Sequence, residues 1–297
     1  MAARKAATAP EGARELIRDS QFGGGLILLE AKPGKRAVYG HLTGRNADSE
    51  PIWDLAQWSS KFPLAERPPE KLPNGTLRYE NEAKAVTLGA PATEDADLVL
   101  AIKGNTEYGN RARKQGEPWV HLLVQQDIAD PPALDQIASL RLRISARLCS
   151  SKLIKTPDYS PQIHAAQFQL FFTVQNRNRQ SPGFGQYLWF GVPVYDDRQR
   201  IPKGHTAQDT GGTSMFIFTP GGETFTSDSA HDGKWITIEK DLAPLIRPGL
   251  ETAWKAGFLK ASQTLADYRI GSINMGWEVP GIFDVAMQVR DLSLTVR

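Results

Sequence analysis

Gln162-Ile163-His164-Ala165-Ala166-Gln167-Phe168-Gln169-Leu170-Phe171-Phe172-Thr173-Val174-Gln175-Asn176-Arg177 alternates with a period of two. Its even positions, His164, Ala166, Phe168, Leu170, Phe172 and Val174, form an apolar set suited to a core. Its odd positions, Gln167, Gln169, Phe171, Thr173, Gln175 and Arg177, gather amides around one aromatic ring. Successive side chains of a strand point to opposite sides, so the pattern predicts a β-strand with one buried face and one outward face.

Similar short apolar or alternating runs recur along the chain, at 26–29, 85–88, 98–102, 119–125, 140–148, 187–194, 214–218, 235–238 and 283–296. They are punctuated by 26 Gly and 20 Pro. Many strands without alternating long helices predict an all-β protein. The expected form is a β-sandwich of the jelly-roll kind, concanavalin A-like or galactose-binding-like, with one or two short peripheral helices. One such helix is expected where Leu250, Ala253, Trp254, Gly257 and Phe258 form an apolar stripe, with Pro248 near its start, Gly257 near its end, and the end of the sandwich beneath it. Residues 62–75, with Pro63, Pro68, Pro69 and Pro73, read as a long loop. Residues 1–18 read as a flexible tail and 19–297 as a single sandwich domain.

The 297 residues are 40% hydrophobic and 23% charged, enough for one large core. Thirty-five Lys and Arg against 33 Asp and Glu leave a net charge of +2, without the basic excess of a nucleic-acid binder. Cys149 is the only cysteine, so no intramolecular disulfide or CxxC site forms; its place after Leu142, Ile144 and Leu148 predicts a small buried hydrophobe. No apolar run approaches the ~20 residues of a membrane helix. Residues 1–10 are Ala-rich and lack the apolar region of a signal peptide. The expected location is the cytoplasm, or the periplasm or exterior where such a peptide has been removed. The sequence carries no signal of oligomeric state.

The faces carry the functional expectation. Carboxamides both donate and accept hydrogen bonds, as sugar hydroxyls do, so Gln167, Gln169, Gln175 and Arg177 are candidates for carbohydrate contact. In 186–197, Leu188, Phe190, Val192 and Val194 share one face and Tyr187, Trp189, Gly191, Pro193 and Tyr195 the other. Either this strand is buried on both sides, or Tyr187, Trp189 and Tyr195 form a platform on which the C–H face of a pyranose stacks. In 119–127 one face collects Trp119, His121, Leu123, Gln125 and Asp127, which suits the lining of a glycan cleft.

Glycoside hydrolysis needs two carboxyl groups roughly 5–10 Å apart. Glu80 and Glu82 alternate onto one face; the other candidates are Asp127, Asp196, Asp197, Asp209, Glu223 and Glu278. Such pairs also suit a structural calcium ion or plain surface charge. Glu278 follows Trp277, which would desolvate it and raise its pKa towards general-acid use. A lyase would need instead a His or Tyr base and groups that neutralise a uronate. Nucleophile-elbow, dinucleotide-binding, Walker A and HExxH motifs are absent, and the five His show no metal-ligand spacing.

Two resemblances attach to these residues. Gln162-Ile163-His164, Lys255-Ala256-Gly257 and Arg78-Tyr79-Glu80 resemble short motifs of the β-jelly-roll alginate lyases, without the tyrosine-containing continuation of the second. The ending, Gly271 to Gly281 leading into 284–296, is similar to the last strands of lectin-like and carbohydrate-binding jelly rolls. These resemblances imply a jelly roll with a bias towards carbohydrate, not a reaction. The expectation is a polysaccharide- or oligosaccharide-cleaving enzyme, either a hydrolase or a lyase, with a non-catalytic glycan binder as the alternative. Chemistry is assigned to His121, Asp127 and Glu278, and ligand contact to Trp119, Gln125, Gln167, Gln169, Gln175, Arg177, Tyr187, Trp189 and Tyr195. No cofactor is expected beyond that possible calcium.

Overall fold

A computed structural model describes residues 11–32, 36–46, 48–89 and 96–297. In chain order its strands are β1 (Arg14–Glu15), β2 (Gly25–Leu29), β3 (Val38–Thr43), β4 (Trp53–Ala56), β5 (Glu70–Lys71), β6 (Leu77–Glu80), β7 (Lys84–Leu88), β8 (Leu98–Lys103), β9 (Val120–Asp127), β10 (Leu140–Leu153), β11 (Gln167–Asn176), β12 (Tyr187–Asp196), β13 (His205–Gln208), β14 (Phe216–Thr219), β15 (Ile236–Asp241), β16 (Tyr268–Val279) and β17 (Phe283–Val296). The α-helices are α1 (Gly104–Glu107) and α2 (Ala243–Lys255). One sheet runs β15-β10-β17-β8-β7-β6-β5, with β1 added on β17; the other has nine strands, β13-β14-β12-β11-β16-β9-β4-β2-β3. The pairs β2–β4 and β12–β14 are parallel. This is the jelly-roll sandwich that the alternation predicts.

The core lies between the sheets. Phe168, Leu170, Phe172 and Val174 of β11 are fully buried there, beside Leu188, Phe190 and Val192 of β12 and Ile273, Met275 and Trp277 of β16. The facing sheet supplies Leu98, Leu100, Leu142, Met287, Val289 and Leu294. Burial of each such side chain stabilises the fold by about 1.5–3 kcal/mol before chain entropy is counted. The Trp277 indole N–H donates to the Leu100 carbonyl at 2.9 Å, and the Tyr79 hydroxyl donates to the Thr43 carbonyl at 2.5 Å, so two buried polar tips cross from sheet to sheet.

Several expectations are corrected. Of the supposed tail 1–18, residues 1–10 lie outside the described residues, but Arg14 and Glu15 pair with Val296 and Thr295, and Leu16 and Ile17 are buried. The helix starts earlier than the stripe suggested: Pro244 occupies its first turn, Pro248 lies inside it, and Gly257 (φ +95°) follows its end. Pro is tolerated early in a helix, so Pro244 marks the true start. Its Ile246, Leu250 and Ala253 are buried, and Gly249 lets it approach Phe218 of β14 and Leu188 of β12. Cys149 is exposed, because the β10–β17 register shifts between Leu148 and Ser150 and leaves it out of the ladder. The lyase-like stretches are scattered: Arg78 and Glu80 pair on β6 of the other sheet, Lys255 ends α2, and His164 is buried with both ring nitrogens engaged. Its Nδ1 accepts from the Ser160 N–H at 2.9 Å and its Nε2 contacts the Arg113 carbonyl at 2.7 Å, a structural role.

The loop through residues 59–67 is pinned by a buried ion pair. Lys84 Nζ contacts Glu107 Oε1 with both side chains inaccessible; Ser60 Oγ and the Lys61 N–H also donate to that carboxylate, at 2.8 and 2.9 Å. Removing one partner strands a charge in the interior, whereas removing both does not. We expect Lys84→Met or Glu107→Gln to lower the unfolding free energy by about 3–5 kcal/mol in urea titrations, and the double variant Lys84→Met/Glu107→Leu to lose clearly less than the two combined.

Candidate functional site

The outward face of the nine-stranded sheet assembles in rows set by register. One row reads Asp196, Gln167, Glu278, His121 across β12, β11, β16 and β9. The next reads Pro193, Gln169, Gly276, Leu123, Ala56, and the third Gly191, Phe171, Asn274, Gln125, Asp54. A fourth holds Trp189, Thr173, Ser272 and Asp127. Polar side chains in the middle of this outer face are hardly exposed: Asp196 4%, Gln169 6%, Asn274 7%, Asp54 8%. Polar groups that face outward yet are this inaccessible lie at the bottom of a cleft. Two glycines lower its floor. A Cβ on Gly276 (φ +153°) would strike the Leu122 carbonyl, and one on Gly191 would strike Thr219 Oγ1 and the Phe171 ring.

Electrostatics divide the cleft carboxyls. Both oxygens of Asp54 accept from Arg36, at 2.7 and 2.8 Å. Burial pushes Asp196 upward, but hydrogen bonds from Arg198 (2.7 and 2.9 Å) and Gln167 (2.7 Å) outweigh it and keep Asp196 below the ordinary carboxylate range. Among the described residues Glu278 has no such donors: burial raises its pKa to about 7, and the negative charge of Asp209 adds to the rise. Its carboxyl keeps a path to solvent while surrounded by protein atoms.

His121, opposite Glu278, is driven the other way. Burial lowers its pKa to about 4, against the opposing pull of the Trp119 carbonyl and Asp209. Its Nδ1 lies 2.9 Å from the Trp119 carbonyl, which only accepts, so Nδ1 carries the proton and Nε2 keeps its lone pair. The Trp58 ring stands edge-on to the imidazole at 5.6 Å.

Beyond β12 the loop 209–215, joining β13 to β14, folds back over the cleft face. The Trp189 indole N–H donates to Thr213 Oγ1 at 3.0 Å, next to where β14 begins to pair with β12. Thr213 in turn donates to Asp209 Oδ2 from its hydroxyl at 2.7 Å and its N–H at 2.8 Å. Trp189 packs edge-on against Tyr187 at 5.1 Å and Phe171 at 6.0 Å, making an aromatic cluster at this side. At the Asp196 end a recess of about 260 Å³ is walled by Gln167, Gln169, Arg198, Lys203 and His205.

The residues read from sequence fall into place unevenly. Gln125, Gln167, Gln169, Trp189, His121 and Glu278 share the cleft, and Trp119 stands at its rim, 42% exposed. Gln175 and Tyr187 pair at the far end, where Gln175 donates to the Gly185 carbonyl at 3.3 Å. Arg177 lies past the end of β11 and its guanidinium contacts the Ile128 carbonyl at 3.3 Å. Tyr195 is corrected: a bulge between Phe168 and Gln169 shifts the β11–β12 register, so Tyr195 pairs with Phe168, enters the core against Trp277, and Asp196 takes the outward place. Asp127 is six residues along β9 from His121, about 20 Å at strand rise, so it does not share chemistry with Glu278.

Glu80 belongs to the opposite sheet, Glu82 follows it, and Glu223 lies in a short turn. Asp197, just past β12, accepts from the Ala166 N–H at 2.6 Å, and burial raises it to about 6. Asp54 and Arg36 were not anticipated, because β4 is short and its four residues are all buried. Asn274 was legible, since 274, 276 and 278 alternate onto one face. Among the described residues no three His, Cys, Asp or Glu side chains cluster for a metal.

No family model matches the sequence, and no curated protein matches it significantly. Solved structures with some likeness are a thermostable cellulase derived from Cel12A of Rhodothermus marinus (TM-score 0.42, 13% identity, 79% of this chain and 98% of that one). Another is a family 12 xyloglucanase from Bacillus licheniformis (0.43, 11%, 78% and 99%). A third is a family 11 xylanase from Neocallimastix patriciarum (0.39, 8%, 83% and 100%).

The raised pKa of Glu278 has a stability consequence. The folded state holds a proton that the unfolded chain releases at ordinary carboxylate pH, so this contribution is present below about pH 4.5 and is lost as pH rises through about 7. We expect Glu278→Gln to melt above the wild type at pH 8, with the gap shrinking towards pH 5, in paired calorimetric scans.

Proposed function

We propose that this chain is a glycoside hydrolase that cleaves a polysaccharide or oligosaccharide lying in the cleft of the nine-stranded sheet, with Glu278 as general acid. The observation that carries the reading is the place of Glu278: a carboxyl without a donor, on the floor of a cleft lined by Gln125, Gln167, Gln169 and Asn274. Such a carboxyl stays protonated near neutrality and is poised to protonate a departing glycosidic oxygen. The amides match sugar hydroxyls, and the Trp189, Tyr187 and Phe171 rings offer apolar surface to a pyranose. A purely binding surface has no use for a carboxyl whose ionised form is destabilised by burial, which favours the enzyme over the non-catalytic binder.

The neutral His121 supports the same assignment. As imidazolium it would stabilise an ionised Glu278; held neutral, it leaves the proton on the acid and presents Nε2 as an acceptor beside it. Trp58 and Trp119 next to His121 place aromatic surface beside Glu278, and Trp189 with Tyr187 place more on the same face of the sheet, about 20 Å further along the strands.

The test is a panel of neutral and uronic polysaccharides, following new reducing ends and the ultraviolet absorbance of unsaturated products. Reducing ends without that absorbance are expected, with a rate that falls as pH rises through about 7, because the proton-bearing form of Glu278 is the active one. Glu278→Gln should lose about 10²–10⁴ in kcat, and Trp189→Ala should raise KM more than it lowers kcat. Unsaturated products would mean a lyase instead, and glycan affinity without cleavage would leave only the binder.

A further inference from the structure

The recess at the Asp196 end of the cleft takes no part in the proton transfer assigned to Glu278, yet its walls carry polar groups that nothing in the fold engages. Gln169 is 6% exposed, and among the described residues its carboxamide has no hydrogen-bond partner, so its bonding capacity is turned to the recess of about 260 Å³ that it lines. Asp196 is the one carboxylate among the described lining residues, and it is already matched. Arg198 reaches it through Nε at 2.9 Å and Nη2 at 2.7 Å, and Gln167 donates to it at 2.7 Å. These bonds leave Arg198 Nη1 and the Gln167 side-chain oxygen without partners among the described residues. Lys203, exposed on the same wall, has no carboxylate partner among them either. Arg198 and Lys203 against Asp196 give the recess one positive charge in excess.

The recess is preformed and lies beside the acid. The turn that closes it is held by the Gln199 N–H on the Asp196 carbonyl at 3.2 Å, the Lys203 N–H on Gln199 Oε1 at 2.7 Å and the Gly222 N–H on the Pro202 carbonyl at 2.8 Å. Gln167 pairs with Glu278 across β11 and β16, and Gln169 pairs with Gly276, which has no side chain to stand between. Neighbouring strands are about 4.8 Å apart, so the wall from Gln167 to Asp196 stands one to two spacings from Glu278. That is within reach of the sugar unit next to the bond being cleaved.

Resting on the hydrolase reading, we propose that this recess is a subsite for a uronic acid unit, so that the glycan cleaved is an acidic one. A single carboxylate matches the single excess positive charge, and Lys203 Nζ with Arg198 Nη1 can give it charge-assisted hydrogen bonds. Gln169, Gln167 and the His205 imidazole are left for the ring hydroxyls. The volume falls below the roughly 300–1,000 Å³ of sites for drug-sized ligands, so the recess takes one sugar unit rather than a stretch of chain. A neutral hexose would satisfy the amides and leave the two cations without a counter-charge. Lys203 is therefore the residue that sets specificity.

The experiment offers glucuronoxylan, polygalacturonate and alginate, each beside its carboxyl-reduced form, to wild type, Lys203→Met, Lys203→Glu, Gln169→Ala and Lys234→Glu. Wild type should cleave a charged polymer with kcat/KM about 10–50-fold above that for its reduced form. The gap should narrow in about 1 M salt, where charges are screened within about 3 Å. Lys203→Met should lose most of the preference through KM, and Lys203→Glu should reverse it. Gln169→Ala should raise KM on both forms alike. Lys234→Glu, at an exposed position in the turn before β15, should match wild type. Lys203 is exposed, so its variants should melt with the wild type. Equal or faster cleavage of the reduced forms, a preference that survives Lys203→Glu, or faster cleavage of sulfated carrageenan overturns this inference and leaves the hydrolase standing. A wild type that cleaves no glycan removes the hydrolase reading, and retardation in gels cast with polygalacturonate then decides the recess. Retardation lost in Lys203→Glu and kept in Lys234→Glu supports the subsite; no retardation of wild type overturns it as well.

Discussion

The period of two along β11 is the constraint on which the rest of the molecule depends. Phe168, Leu170, Phe172 and Val174 are buried without residual exposure, and β11 is bonded on both sides, to β12 and β16. A slip of one residue would carry four apolar side chains into water and four polar ones into the core. Because β16 pairs in turn with β9, the parity of β11 is passed on through Gln167 and Glu278 to His121. The cleft is therefore the other side of the hydrophobic core, built by the same alternation.

Register breaks then decide which residues the cleft receives. The bulge between Phe168 and Gln169 adds a residue on β12, which turns Tyr195 inward to Trp277 and His231 and turns Asp196 outward to Gln167 and Arg198. The shift between Leu148 and Ser150 does the same for Cys149 on the facing sheet. In each case one unpaired residue reverses the parity of those beyond it, which moves a side chain from one medium to another at little change in backbone path.

The protein buries carboxylates in two manners, with a full set of donors or nearly without them. Glu107 meets Lys84, Ser60 and the Lys61 N–H; Asp54 meets Arg36; Asp196 meets Arg198 and Gln167. Charge removed from water is tolerated where donors replace the lost hydration. Glu278 lacks them, so the neutral acid is the stable form there. Asp197, with a single backbone donor, is raised to about 6 by burial in the same sense, and Glu278, with no donor among the described residues, is raised further.

Alternation alone determined the all-β class, the two faces of β9, β11 and β16, the amide lining of the cleft, and the pairing of Trp277 with Glu278 as core and site neighbours. These are local properties, written in a repeat of about 3.4 Å per residue. The tertiary structure decided what no local repeat contains. It set the inward turn of Tyr195, the distance between Asp127 and Glu278, and the dispersal of the lyase-like stretches over a helix end, a buried histidine and the opposite sheet. It also set the bond from the Trp189 indole to Thr213 of the loop between β13 and β14. Each of these depends on which distant segments are paired and where a bulge falls, and pairing energy is gained only when the strands meet.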